Sequence, residues 1–279
     1  MKKWSIVTDS SCDFVLPEKA DSSICFAKVP FVISVGQHDF VDTKSLDIEN
    51  LLTHMETCPT ASHTSCPSPG NWIERFEQAQ QIIAITISAK LSGSYNSAMT
   101  AREMILEQTP EKKIYVLDSR SAGSALTMYA EKAAELIEGG SDFHTVVSGL
   151  EEYRKHRHTI FALSSFNNLV KNGRISKAVG FIAGKLGIWG IGIGSKEGEI
   201  IVKNKTRGVQ KVIGSFLADM KEHAFAGGYV VISHCQNLEL AAKLRDKIQE
   251  TWHSAKVKIL ETGGLCSYYA ERNGLIVAY

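Results

Sequence analysis

Apolar positions along this chain follow two alternating patterns. Short runs apolar at nearly every position, such as Ile82-Ile83-Ala84-Ile85-Thr86-Ile87, alternate with longer stretches of mixed polarity at helical spacing, such as Ser94–Gln108. A short strand that is apolar on both faces must be covered on both sides, which implies a parallel sheet flanked by helices. In the first half the pattern predicts strands at Ser5-Ile6-Val7-Thr8, at 26–35, at 82–87 and at Ile114-Tyr115-Val116-Leu117. Helices are predicted at 45–56, 71–80, 94–108 and 122–138. A further helix over 143–156 starts behind Asp142, a good N-cap.

The second half predicts strands at Thr159-Ile160-Phe161-Ala162-Leu163, 188–193, 199–203, 229–233, 257–260 and 275–278, with helices at 176–186, 209–223 and 238–251. Gly198 between two glutamates reads as a hairpin turn, so this sheet is expected to be mixed. The expected fold class is α/β in two domains. An N-terminal parallel-sheet domain spans 1–155 and a C-terminal mixed-sheet α/β domain spans 156–279. The length of 279 residues agrees, at roughly 100–200 residues per domain.

Charge and cysteine content narrow the class. Lys+Arg total 31 against 30 Asp+Glu, a balance that argues against a nucleic-acid binder. The six cysteines form no Cys-x-x-Cys pair and are too sparse for a disulfide framework. Only about four apolar residues follow the basic Met1-Lys2-Lys3-Trp4, too few for a signal peptide. The apolar stretch 178–194 holds Lys185 and six glycines and is shorter than the ~20 residues of a spanning helix. A cytoplasmic protein without stable membrane insertion is expected. Cys58, His63 and Cys66 fit no usual zinc spacing, so no metal is expected.

The candidate chemistry lies at strand ends. Thr8-Asp9-Ser10-Ser11, Ser88-Ala89-Lys90-Leu91-Ser92-Gly93-Ser94 and Asp118-Ser119-Arg120-Ser121 are hydroxyl-rich turns at the carboxyl ends of predicted parallel strands, where open sheets bind ligands. Ser92-Gly93 also precedes a helix, whose free N–H groups suit an anion. Each turn alone is better explained by helix capping. Three at one sheet edge, with Gly93 permitting close backbone approach, bring the two readings level. A fourth segment, Thr64-Ser65-Cys66-Pro67-Ser68-Pro69-Gly70, reads as a stiff connector with Pro69 at a helix start. No Gly-x-Ser-x-Gly elbow, P-loop or dinucleotide fingerprint is present, and Gly190-x-Gly192-x-Gly194 reads as a close-packed helix–strand junction. A Ser/Thr-rich site without an evident base favours binding over turnover.

Taken in order, these segments resemble the DegV family, two-domain bacterial proteins that bind long-chain fatty acids and carry them for a fatty acid kinase. The matching pieces are Val7-Thr8-Asp9-Ser10-Ser11, the 64–70 segment, Lys90-Leu91-Ser92-Gly93-Ser94-Tyr95-Asn96-Ser97-Ala98, Leu117-Asp118-Ser119, residues 169–177 with Gly173-Arg174-Ile175-Ser176, and Lys205-Thr206-Arg207-Gly208. The resemblance implies that Thr64 and Ser92 hold the fatty acid carboxylate, supported by Ser65, Gly93, Asp9, Ser10, Asp118, Ser119 and Arg174. It implies a fatty acid as ligand, no cofactor, a kinase catalytic subunit as partner, and an apolar tunnel with walls that no local motif marks. The chain departs from the family at Tyr269-Ala270-Glu271-Arg272-Asn273, where many members have His-Thr-Gly-Pro-Gly, and at Trp189-Gly190, where members often have Lys-Pro. Tyr269 donates a hydrogen bond but cannot become cationic. A small-molecule hydrolase or transferase using the Ser/Thr/Asp cluster, and a regulatory protein with a structural lipid, stay open as alternatives.

Overall fold

The computed structural model describes residues 2–14, 24–60, 62–176 and 187–279. The predicted helix at 176–186 lies outside the described residues apart from Ser176.

Four strands form the first sheet: β1 (Lys2–Asp9), β2 (Ile24–Val29), β6 (Ala79–Thr86) and β7 (Lys113–Asp118), in the order β2-β1-β6-β7 and all parallel. Its faces are covered as the doubly apolar strands require. One carries α2 (Pro69–Phe76) and α3 (Ser94–Gln108), through Trp72, Phe76, Ala98 and Ala101. The other carries α4 (Ser124–Glu138) and α5 (Phe143–Lys155). The Asp142 carboxylate caps α5 by accepting the Thr145 N–H, and Ser68 caps α2 with Pro69 in its first turn.

The second sheet has the order β10-β9-β8-β13-β11-β12. It is built from β8 (Thr159–Leu163), β9 (Ile188–Gly194), β10 (Ile200–Arg207), β11 (Tyr229–His234), β12 (Lys256–Glu261) and β13 (Leu275–Ala278). Only β11 and β12 run parallel, so the sheet is mixed, as expected. Helices α7 (Val209–Glu222) and α8 (Leu238–Thr251) pack on it around Phe216, Met220 and Leu244. Helix α4 is buried nearly all round because it sits between the sheets, against β1 and β6 on one side and β11 and β13 on the other. Ser124 Oγ ties this seam by donating to the Ile276 carbonyl at 2.7 Å.

Several elements differ from expectation. The apolar run 26–35 is two strands in different sheets. It breaks at Pro30, which has no N–H to give to a ladder. Its second part, β3 (Val32–Val35), pairs antiparallel with β4 (His38–Val41) and β5 (Ser62–Ser65) in a small third sheet. Thr64 and Ser65 therefore stand in a strand, where the sequence reads as a connector. The helix expected at 71–80 ends at Phe76, because Ala79 and Gln81 pair with Lys2 and Trp4 in the first sheet. Two glycines of β9, Gly190 and Gly192, are close-packed against aromatic rings. A Cβ on Gly190 would meet the Phe166 ring at 2.5 Å, and one on Gly192 the Phe161 ring at 2.3 Å.

Candidate functional site

The chain passes from β1 to β2 on one side and reaches β6 on the other, so the β1–β6 crevice is the switch point of the parallel sheet. The three hydroxyl-rich turns gather there and are tied to one another. Asp9 accepts hydrogen bonds from the Ile87 N–H at 2.9 Å, from Ser94 Oγ at 2.7 Å, and from the Ser11 hydroxyl and N–H. Burial pushes the Asp9 carboxyl above the usual carboxylate range, and these bonds act against that rise. Ser88 N–H donates to the Ser121 carbonyl, and Ser119 N–H to that of Thr86. Asp118 accepts the N–H groups of Ala89 and Arg120, Ser119 Oγ bridges within its own turn, and Ser10 Oγ accepts the Phe31 N–H. The geometry makes Asp9, Ser10, Asp118 and Ser119 braces of the loops.

A cavity lies between these turns and the face of the second sheet. This slot holds about 840 Å³ of unfilled space with its open side included. Thr159, Phe161 and Leu163 of β8 all line it, as alternation along a strand places residues i, i+2 and i+4 on one face. At ~3.3 Å per residue these three span about 13 Å of wall. Ile87, Leu91, Leu169, Leu265 and Ile276 add further apolar side chains to the lining.

Polar groups in the lining include Thr64, Ser92, Arg174 and Tyr269. Thr64 Oγ1 and Tyr269 Oη are hydrogen bonded at 2.9 Å. The Arg174 guanidinium carbon lies 5.7 Å from the centre of the Tyr269 ring. Arg174 Nε donates to the carbonyl of Leu91, next to Ser92, at 3.1 Å, and Nη1 donates to that of Asn172 at 2.6 Å. Ser92 Oγ accepts the Ser94 N–H at the start of α3, which has Gly93 as N-cap and no side-chain cap. Ser65 and Gly93 are exposed beside this group. Thr64 and Ser92 are half-buried, so the polar end of the slot reaches the surface.

Local structure aims these side chains. Short helix α6 (Asn167–Lys171) is followed by Gly173 at φ 71, a left-handed reversal that brings the Arg174 N–H onto the Leu169 carbonyl at 2.8 Å. Tyr269 rides on α9 (Gly264–Ala270), positioned from far away in sequence. Asp42 Oδ1 and Oδ2 accept the Gly264 and Leu265 N–H groups at 2.7 and 2.8 Å. A Cβ on Gly264 would lie 2.6 Å from Asp42 Oδ1, so the glycine permits this approach. Burial holds the Tyr269 phenol above its usual value, which keeps it a neutral donor.

An anion at the polar end would meet hydroxyl donors, an arginine with no carboxylate within ion-pair range among the described residues, and the start of a 15-residue helix. The structure also adds Cys266, Glu199 and Ile200 to the lining, where the motifs gave no signal, and Arg120 from the third hydroxyl-rich turn.

Fold and cavity together define a two-sheet α/β protein with an apolar ligand slot between its sheets and a polar, anion-suited end. Residues 3–279 match the model for an uncharacterised protein of the DegV family, and the chain belongs to that family. It is 39% identical over 277 residues to a DegV domain-containing protein of Streptococcus pneumoniae, covering 99% of this chain and 98% of the relative. Among solved structures, the fatty acid kinase B3 protein of S. pneumoniae loaded with linoleic acid superposes with a TM-score of 0.96 at 38% identity, covering 99% of both chains. A DegV family protein of Eubacterium eligens loaded with heptadecanoic acid gives 0.94 at 36% identity, covering 99% of this chain and 98% of that one.

Proposed function

We propose that this protein binds a long-chain fatty acid, sheltering the alkyl chain in the intersheet slot and presenting the carboxylate at its polar end to a fatty acid kinase. The observation that carries the reading is the slot with apolar walls between the sheets, with Thr64, Ser92, Arg174 and Tyr269 grouped in its lining. Linoleic and heptadecanoic acids in two relatives of this fold support it.

In this reading Thr64 and Ser92 donate to the carboxylate and Tyr269 orients the Thr64 hydroxyl. Arg174 supplies positive charge from beside the tyrosine ring. Asp9, Ser10, Asp118 and Ser119 hold the turns, and Ser65 and Gly93 frame the opening. The half-exposed setting of Thr64 and Ser92 supports presentation to a partner, since a headgroup held there is reachable from outside. All six cysteines are unpaired, which supports work in the reducing cytoplasm.

The test is mass spectrometry of an organic extract of the purified chain. A long-chain carboxylate at near-stoichiometric amount is expected, and an extract without one would overturn the reading. Adding the catalytic subunit of a bacterial fatty acid kinase with ATP to the loaded protein tests the partner, with acyl phosphate as the expected product.

A further inference from the structure

The turn between β9 and β10, residues 195–199, reaches from the second sheet to the turns of the first. Ser88 Oγ donates to the Gly198 carbonyl at 2.7 Å, and Arg120 Nη1 donates to the Lys196 carbonyl at 3.2 Å. The fit at the tip is tight. Gly198 is buried at φ 90, and a Cβ there would lie 2.3 Å from Ser88 Oγ and 2.9 Å from Arg120 Cα. Arg120 itself stands at φ 52, an unusual backbone for arginine, held by its N–H bond to Asp118. Gly194, Gly198, Glu199 and Arg120 all line the slot, so this contact is one of its walls. The wall belongs to an edge hairpin. β10 pairs with β9 alone, is largely exposed, and the ladder shifts register between Val202 and Asn204. An edge strand with a bulged ladder opens more easily than the central strands.

We propose that Ser88, Arg120 and Gly198 form a clasp that keeps this wall of the slot closed and determines how long a bound alkyl chain is retained. The proposal rests on the fatty acid reading. The two donors of the clasp, Ser88 Oγ and Arg120 Nη1, are other atoms than the headgroup donors, although the Ser88 carbonyl accepts the Ser92 N–H at 3.1 Å. The clasp acts on the wall beside Thr159 and Gly194 and recognises no chemical group of the ligand. Loosening it speeds escape of the chain.

The experiment loads the full chain with a fluorescent long-chain fatty acid and follows its transfer to excess phosphatidylcholine vesicles. Ser88→Ala removes one donor. Arg120→Asn removes the other and keeps a residue that tolerates the left-handed backbone. Each variant is expected to release ligand about fivefold faster, the loss of one ordinary hydrogen bond. Thermal melting run in parallel is expected to stay near that of the unaltered chain for Arg120→Asn, which separates leakage from unfolding. If the unaltered chain loads ligand and both variants release it within about twofold of its rate, the clasp is overturned and the fatty acid reading stands. If the unaltered chain takes up no fatty acid, the binding reading fails and the clasp falls with it.

Discussion

Replacing Thr64 by Val separates the headgroup from the tail. Both side chains are β-branched and suit strand β5, so the swap exchanges a hydroxyl for a methyl with little change of shape. Tyr269 Oη loses its partner at 2.9 Å, and a bound carboxylate loses one donor. A hydrogen bond to a charged group contributes about 1.5–3 kcal/mol, so Kd should rise about 10- to 150-fold. The tail is the larger quantity. About fourteen methylenes at ~0.8 kcal/mol each give roughly 11 kcal/mol gross, before the cost of association. Thr64→Val should therefore weaken binding without abolishing it. Shortening the ligand by four methylenes, a loss of about 3 kcal/mol, should match the upper end of that effect. Calorimetric titration of delipidated protein with a long-chain acid and with the alcohol of equal length reads both terms. The penalty for the acid should exceed that for the alcohol, which accepts only a neutral bond. An acid affinity unchanged by Thr64→Val, or equal penalties for acid and alcohol, would refute the assignment of this hydroxyl to the carboxylate.

Three other substitutions probe the frame around the site. Gly192→Ala drives a Cβ to 2.3 Å from the Phe161 ring and 2.9 Å from the Ile201 carbonyl. Overpacking of this kind costs about 1–3 kcal/mol, so Tm in a calorimetric scan should fall by several degrees; an unchanged Tm would contradict the close packing. Asp9→Ala strips the acceptor from the buried Ile87 N–H and the Ser94 hydroxyl and should cost about 3 kcal/mol or more in urea unfolding. The folded fraction should keep its ligand affinity within a few-fold, and a selective loss of affinity at unchanged stability would make Asp9 a ligand contact. Asp13 gives a pH signature. Burial, opposed by the Gly263 N–H bond, raises its carboxyl to about 6 from 3.8, and its Oδ2 has no hydrogen-bond partner. Between those values the unfolded chain gives up a proton that the folded chain keeps, so this group's contribution to stability falls as pH rises through the window, by up to about 3 kcal/mol. Asp13→Asn removes that slope. Its unfolding free energy relative to the unaltered chain should improve from pH 4 to pH 7, and a difference that stays flat or worsens would refute the buried acid.

What the sequence made legible is what local chemistry decides. α3, α8 and β13 fall at the expected bounds, because each lies between polar or glycine boundaries. β4 and β5 were not legible. His38-Asp39-Phe40-Val41 and Ser62-His63-Thr64-Ser65 are half-exposed and largely polar, and they become strands only through pairing with β3. α9 was not legible either, since its N-terminus is capped by Asp42, more than two hundred residues away, and its first residues are glycines. The site divides the same way. The turns at 9–11, 88–94 and 118–121 announce themselves by composition and gather as expected. The slot between the sheets is set by how β8, β9 and β13 face those turns, which no short motif encodes.

Tyr269 gives the site a different electrostatic character from one built on histidine. Its phenol is half-buried, pushed above its usual value and hydrogen bonded to Thr64, so it stays neutral throughout the physiological range. The positive charge beside it is the Arg174 guanidinium, held by the Leu91 and Asn172 carbonyls. The Tyr269 phenol, raised by burial, brings no change of charge between pH 6 and 8. Fatty acid affinity should be flat across that interval. Tyr269→His puts a group with an ordinary pKa near 6.5 at the same place, so binding by the variant should tighten as pH falls towards 6, by the attraction of a new cation for the carboxylate. Titrations of both proteins at pH 6, 7 and 8 decide the matter. An unaltered chain that tightens on acidification as the histidine variant does would mean that some other titrating group faces the headgroup, and the division of roles between Tyr269 and Arg174 would have to be abandoned.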